Sequence, residues 1–543
     1  MHRWTRTSCL LTWALLAVDA SAQERPQAAA LRQPPAVGAQ ETWGGPAFPG
    51  ELAIGLAAPL QTLDPHERNA AGNNSVIDHI FDTLIARDSR EALRPALAKS
   101  WLARDAMTWD FTLRRGVVWH DGTPCTVDDV IASLSRAAAL PDGATSFGQF
   151  TRRIESVGRI DSHTLRIKTR HPYPLLVHDL ASIRIVQSSA ADAGAWHLGT
   201  GPYKLKQFVA GKFVLLERNE NYWGARPAWQ SLKLRFIADA SQRVAALLAG
   251  EVQMIEDLSG DQLTRLAKEP KVQLVSAVTN RLIYLHVDSQ RRNSPFVKTK
   301  DGKPLPNNPL QDATVRRALS LALDRTLLVE RHLGGRAMPA GQLLPPDRAG
   351  TSKQLSAPAA DLETARRLLA QAGFANGFAV TLHTPQNRYV QDVPTAHGIA
   401  AMLARIGVRV RVEALPSKLF FSRLDKLDYS FYLAGWSTQT GEASSPLRAL
   451  IGTHDSRTGM GQSNRGRFSD PSVDALIRSA MTTTDEAQRN ALLARATDTA
   501  IGEKQALIPL HHEMSTWALR KGLEYAGRSD QATYAFEVRA AQP

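Results

Sequence analysis

Met107-Thr-Trp-Asp-Phe-Thr-Leu-Arg-Arg-Gly-Val-Val-Trp-His-Asp-Gly-Thr-Pro-Cys-Thr-Val-Asp-Asp-Val130 is the stretch from which the fold is read. Trp109, Phe111 and Leu113 alternate with polar residues, the pattern of a half-buried strand. His120-Asp121-Gly122 is a tight polar turn, and Thr126 stands where it can cap a helix beginning Val127-Asp128-Asp129. Two acids in that first turn suit the positive end of the helix dipole. The stretch is therefore a strand, a turn and a helix.

Upstream, Arg3 and Arg6 precede the short apolar run Cys9 to Val18, and Ala20-Ser21-Ala22 is a small-residue cleavage site. Together they predict an export signal over residues 1–22. The run is too short to cross a bilayer, which takes about 20 apolar residues. Cleavage leaves Cys125 as the one thiol, so an internal disulfide is excluded and the fold must stand on its core. Residues 23–48 are rich in Ala, Pro and Gln and read as a disordered leader. The remainder is long enough for two or three domains. The formal charge of +13 is spread along the chain, with no basic-aromatic motif for nucleic acid.

Order is expected from the strand Glu51-Leu-Ala-Ile-Gly-Leu56 onward. Beyond Tyr284 strands alternate with helices, predicting a sheet with helices packed on it. Asp312 caps a helix whose apolar face is Val315, Ala318, Leu319, Ala322 and Leu323, and Asp361 caps another that stops at Gly373. A strand over Phe378 to His383 precedes a helix over Thr395 to Ile406. Val408, Val410 and Val412 form a half-exposed strand, and Tyr429 to Ala434 a further strand that ends in Gly435-Trp436. Ligands of open α/β sheets sit beyond the carboxyl ends of the strands. Gly435-Trp436-Ser437-Thr438-Gln439 lies at such an end. Gly435 permits close approach, Trp436 offers an apolar face and one N–H, and Ser437, Thr438 and Gln439 supply donors and acceptors. Trp436 either contacts a ligand or caps the sheet as a core residue.

Six motifs in order carry a resemblance that covers nearly the whole chain after the leader. They are Thr62-Leu-Asp-Pro65, Pro95-Ala-Leu-Ala-Lys-Ser-Trp101, the opening stretch above, Gly199-Thr-Gly-Pro-Tyr-Lys204 with Leu216-Glu-Arg-Asn-Glu-Asn-Tyr-Trp223, Asp312 to Arg325, and Pro509-Leu-His-His512. The chain resembles the extracytoplasmic solute-binding proteins of ABC importers for peptides, nickel and related solutes. That resemblance implies an α/β, periplasmic-binding-protein-like bilobal fold of three domains, one discontinuous, around a hinged cleft. It implies lobe I from 49–90, 193–283 and 501–543, a smaller extra domain over 91–192, and lobe II over 284–500. It implies a periplasmic receptor, monomeric, that captures a peptide-like or other small polar solute and delivers it to a permease driven by cytoplasmic ATPases. No cofactor, metal or nucleic acid is expected. The alternative is an exported enzyme or chaperone on the same scaffold.

The resemblance also implies site residues. Arg388 follows the strand Phe378 to His383, where related dipeptide binders place an Arg against the ligand carboxylate. Asn73, with Asn69 and Asn74, falls in a loop that lines the cleft in relatives. Peptide-binding relatives carry an acid after the Gly-Trp pair, where this chain has Gln439; Glu442, three residues on, is the substitute to consider. An uncharged Gln439 disfavours a ligand with an obligatory free ammonium. Catalytic motifs are lacking: no HExxH, GxSxG, Walker or GxGxxG pattern occurs. His511 and His512 alternate across a strand and cannot both chelate, and Cys125 is expected to be a small buried residue.

Overall fold

A computed structural model describes residues 50–141, 146–189, 194, 196–258, 260–438 and 440–541. The export signal over 1–22, the leader over 23–48 and Gln439 lie outside the described residues.

The opening stretch folds as read. Thr108–Leu113 is a strand, Gly122 turns with φ +89°, and Val127–Ala139 is a helix. Asp129 reaches back to the Thr126 N–H at 2.9 Å, closing the helix start. The helix buries Val127, Val130, Leu134 and Ala137 in a core shared with Phe111, Leu165 and Ile167. That core covers a four-stranded antiparallel sheet in the order Ala98–Ala103, Thr108–Leu113, Thr164–Thr169, Ile154–Arg159. The exposed alternation expected of the central strand is modified at Asp110, which is buried and clamped by Arg104 at 2.6 Å and Arg166 at 2.7 Å.

The turn after this strand is wired to the next motif. His120 accepts from the Gly199 N–H at 3.2 Å, and its Nε2 lies 3.1 Å from the Gly201 carbonyl. Burial pushes the imidazole down to about 4, so it stays neutral and can play both parts. Lys204 donates to the His120 carbonyl at 2.8 Å. Gly199 is required by packing, since a Cβ there would lie 1.8 Å from the Ile80 carbonyl oxygen.

The main sheet has twelve strands. Its path runs Val297–Lys298, Ala379–Gln386, Phe431–Ser437, Val272–Val287, Ile508–Arg520, Met254–Ile255, Glu51–Leu56, Ser231–Phe236, Phe213–Arg218, Tyr203–Val209. Arg409–Pro416 adds to Ala379–Gln386 and Ala337–Pro339 to Ile508–Arg520. Two long strands, Val272–Val287 and Ile508–Arg520, pair antiparallel through the middle and join the β-rich portion to the α/β portion. Their register breaks between Val278 and Leu282. Thr279, Asn280 and Arg281 occupy the break, where a bulge bends a strand and re-aims its side chains.

Helices Ala313–Leu321, Leu362–Gln371 and Asp392–Ala404 bury Val315, Leu319, Ala365, Leu369, Ile399 and Leu403 in one core with Leu382, Phe431 and Leu433 of the sheet. Asp312 and Asp361 cap as expected, accepting from Thr314 at 2.7 Å and Thr364 at 2.9 Å. The Asp312 helix is shorter than its apolar face suggests. It ends at Leu321, and Asp324 caps a second helix, Arg325–Leu333. Ala322 and Leu323 are still buried, but in the connection.

Candidate functional site

The strand Phe431–Ser437 runs parallel to Ala379–Gln386, and Arg388 follows the carboxyl end of the latter. Trp436, expected beyond a strand end, is instead the last residue but one of its strand, paired with Leu282, because the ladder to Val272–Val287 continues through Ser437. Tyr389 ties the two ends together. Its hydroxyl donates to the Gly435 carbonyl at 3.4 Å, and a Cβ on Gly435 would lie 2.7 Å from the Tyr389 ring. The turn carrying Arg388 is bracketed by left-handed Asn387 and Gln391 (φ +57° and +53°). It is pinned by Asp392, which accepts the Arg388 and Tyr389 N–H groups at 2.9 and 3.2 Å. The Arg388 guanidinium is exposed and 5.6 Å from the Tyr389 ring centre.

Ser437 and Thr438 line a cleft of about 510 Å³. Trp436, one step earlier, is half-buried against the cluster of Leu282, Tyr284, Phe420 and Leu447, with its indole N–H buried and unpartnered. The cleft's other walls come from the helix Ala71–Ile77 and its flanks, the hairpin Ile85–Arg87/Leu93–Pro95, and the C-terminal segment around Ser529 to Tyr534. Arg388 and Asn73 are not on its lining. Asn73 is buried, and its carbonyl oxygen accepts from Gln61 and Thr62 at 3.0 and 3.4 Å, so it shapes the Thr62-Leu-Asp-Pro65 loop. Asn69 and Asn74 line the cleft instead, joined by a 2.8 Å hydrogen bond. Glu442 is committed elsewhere: fully buried, it accepts from the Ser444 N–H at 3.1 Å and pairs with Arg489 at 3.2 Å.

Most charges on the lining are paired. Arg184 binds both oxygens of Asp78 at 2.7 and 2.9 Å. Arg528 is held by Asp530 and Glu537. Asp82 accepts from Trp223, Thr200 and Tyr222, and burial still pushes its carboxyl up to about 6. Glu91 and Arg281 on the lining each keep a buried polar atom without a hydrogen bond. Glu91, at the hairpin tip, has a buried Oε2 with no hydrogen bond, and its nearest guanidinium, on Arg87, is 4.0 Å away. Burial pushes its carboxyl up to about 7. Arg281 has a buried Nε without a hydrogen bond, 3.5 Å from Glu513. Sequence reading missed both. For Arg281 the signal was present: Thr279-Asn280-Arg281 is a polar interruption in an apolar strand. Glu91 reads as an ordinary turn residue.

Among the described residues no group of three or more His, Cys, Asp or Glu is placed to hold a metal. His511 and His512 are buried along one strand, and burial pushes them down to about 4 and 3. Burial also raises the Cys125 thiol, the opposite of what an activated nucleophile needs.

A mixed α/β fold whose two portions share a central pair of long strands, with a polar cleft at the strand ends, defines a solute-binding architecture. Residues 92–457 match the bacterial extracellular solute-binding proteins, family 5 (middle), and the chain belongs to that family. It is 26% identical over 487 residues to the glutathione-binding protein GsiB of Escherichia coli strain K12, covering 87% of this chain and 91% of that one. It is 28% identical over 462 residues to GsiB of Pectobacterium atrosepticum, covering 82% and 86%. Among solved structures, the unliganded open form of the periplasmic murein tripeptide-binding protein MppA superposes with TM-score 0.80 at 24% identity, covering 91% of this chain and 98% of that chain. HbpA2 of Haemophilus parasuis superposes with TM-score 0.79 at 22% identity, covering 91% and 100%. The α/β periplasmic-binding-protein fold expected from the six motifs is thus the fold observed.

Proposed function

We propose that the chain captures a small peptide-like solute in the cleft and delivers it to the permease of an ABC importer. The observation that carries this is the cleft itself. About 510 Å³ falls in the usual range for small-molecule sites. Its walls come from segments far apart in sequence, as a site that closes around a solute requires. Relatives named glutathione-binding proteins support a peptide-like solute. Ser437, Thr438 and Gln439 contact the solute, Trp436 packs beside it, and Arg388 lies beside the Tyr389 ring, off the cleft lining. Asn73 acts by holding the Thr62 loop.

The same reading places the protein in the periplasm as a monomer released from its 1–22 signal, with lobe I, extra domain and lobe II divided as given above. The small sheet, built wholly from residues between Ala98 and Thr169, supports the separate extra domain. Calorimetry with reduced glutathione and a set of unmodified tripeptides tests the receptor role. Saturable one-to-one binding, with the solute recovered chemically unchanged, is the expected result. Consumption of the solute would instead favour an exported enzyme on this scaffold.

A further inference from the structure

Glu91 is placed at some cost. Its φ of +64° is a conformation few non-glycine residues adopt, and such strain collects at functional sites. The turn holds it there: the Glu91 N–H donates to the Asp88 carbonyl at 2.9 Å, and the Asp88 side chain accepts from Arg90 and Ala92 at 2.9 Å each. Its side chain is only 4% exposed. Gly441 packs directly on it, since a Cβ on Gly441 would lie 2.8 Å from that of Glu91. The hairpin tip therefore meets the segment that follows Ser437 and Thr438, and Glu91 lines the cleft with them.

A buried carboxylate oxygen without a partner is expensive, and structural carboxylates avoid it by pairing. Three guanidinium groups lie in the field of Glu91, all hydrogen-bonded to other groups, and Arg87 reaches its other oxygen only at 4.0 Å. Arg87 donates to the His178 carbonyl at 2.6 Å. Arg348 donates to Asn280 and Ser529 at 3.2 and 2.6 Å. Arg528 is held by Asp530 and Glu537. On the same cleft Arg281, re-aimed by the strand bulge, makes no side-chain hydrogen bond among the described residues. Glu91 thus has only the long ion pair to Arg87 at 4.0 Å and Arg281 only that to Glu513 at 3.5 Å, and each keeps a buried polar atom without a hydrogen bond on one cavity.

We propose that Glu91 receives a positively charged group of the bound solute and Arg281 its carboxylate, so that the cleft selects zwitterionic solutes. This rests on the receptor reading and names its substrate class. It moves the ammonium receptor from the position after the Gly-Trp pair to the hairpin tip. A peptide with a free amino group then fits, contrary to the expectation from Gln439 alone.

The test uses the whole exported chain and three forms of each probe: reduced glutathione and several tripeptides, each unmodified, N-acetylated, and C-amidated. The parent should bind unmodified forms about tenfold or more tighter than N-acetylated or amidated ones, as charge-assisted hydrogen bonds would give. Glu91→Gln should abolish the preference over the N-acetylated form, and Arg281→Gln the preference over the amidated form. Glu91→Asp keeps the charge and should keep the first preference, which traces any loss in Glu91→Gln to the charge. Equal binding of acetylated and free forms by the parent, or an undiminished preference in Glu91→Gln, overturns the assignment and leaves the receptor reading standing. If the parent binds no form of any probe, the peptide-like reading fails and the assignment fails with it.

Discussion

Gly435 shows how one residue fixes a site. It has no side chain because the Tyr389 ring and the Ile283 methyl occupy the space, at 2.7 and 2.9 Å from where a Cβ would be. Gly435→Ala should displace that ring, lower stability by about 1–3 kcal/mol, and loosen the turn carrying Arg388; thermal unfolding read beside calorimetry checks both effects. Trp436→Ala should weaken solute binding by about 2 kcal/mol, read by calorimetry against the parent. Glu91 gives a prediction of opposite sign. Burial raises its carboxyl from 4.5 to about 7 against the opposing fields of Arg87, Arg348 and Arg528, with Asp530 adding to the rise. A folded-state value above the unfolded one means the folded protein holds that proton more tightly, so stability falls as pH rises from about 4.5 to about 7. In ligand-free protein at pH 8, Glu91→Gln should therefore gain about 1–3 kcal/mol, the usual cost of an unpaired buried polar group. The gain should shrink toward pH 5. Thermal unfolding across that range checks it, and an equal difference at both ends would contradict it.

At the scale of elements, local signals were the legible ones. The strand, turn and capped helix of residues 107–130 could be read because cap, turn and alternation all lie within a few residues of one another. Asp129 does more than the sequence indicates. One carboxylate oxygen closes the helix start on Thr126 at 2.9 Å, and the other accepts from the Ser188 N–H and hydroxyl at 3.1 Å each. Asp129→Ala should cost about 1–3 kcal/mol, seen as a lower urea midpoint; an unchanged midpoint would show that these bonds add nothing net. Facing directions were not legible. Asn69, Asn73 and Asn74 read alike as loop residues, yet Asn73 and Asn74 lie in the helix Ala71–Ile77, whose turn points Asn73 inward to Gln61 and Thr62 while Asn74, with Asn69 before the helix, reaches the cleft. The Asp312 helix was read too long because its apolar period continues through Ala322 and Leu323, which stay buried after the helix has ended. Glu91 was invisible for the same kind of reason: its meaning comes from Gly441, 350 positions later, which packs over it.

Across the whole molecule the order of strands in the main sheet departs most from the order in the chain. Glu51–Leu56 lies between Ser231–Phe236 and Met254–Ile255, and Ile508–Arg520, near the C-terminal end, sits in the middle. Periodicity marks a strand but does not name its neighbour, so the fold class was reached through the six ordered motifs and not through pairing. The same topology places Ser437, Thr438, Glu91 and Arg281 on one cavity although they come from three distant segments. The central claim is that this cavity holds a small solute. Native mass spectrometry of the protein isolated from cells, beside a Ser437→Trp variant whose indole fills the cleft, tests it most directly. The parent should carry one small solute per chain, released unchanged on denaturation and absent from the variant. The same solute on the variant, or none on the parent when saturated with its candidate solutes, would contradict the account.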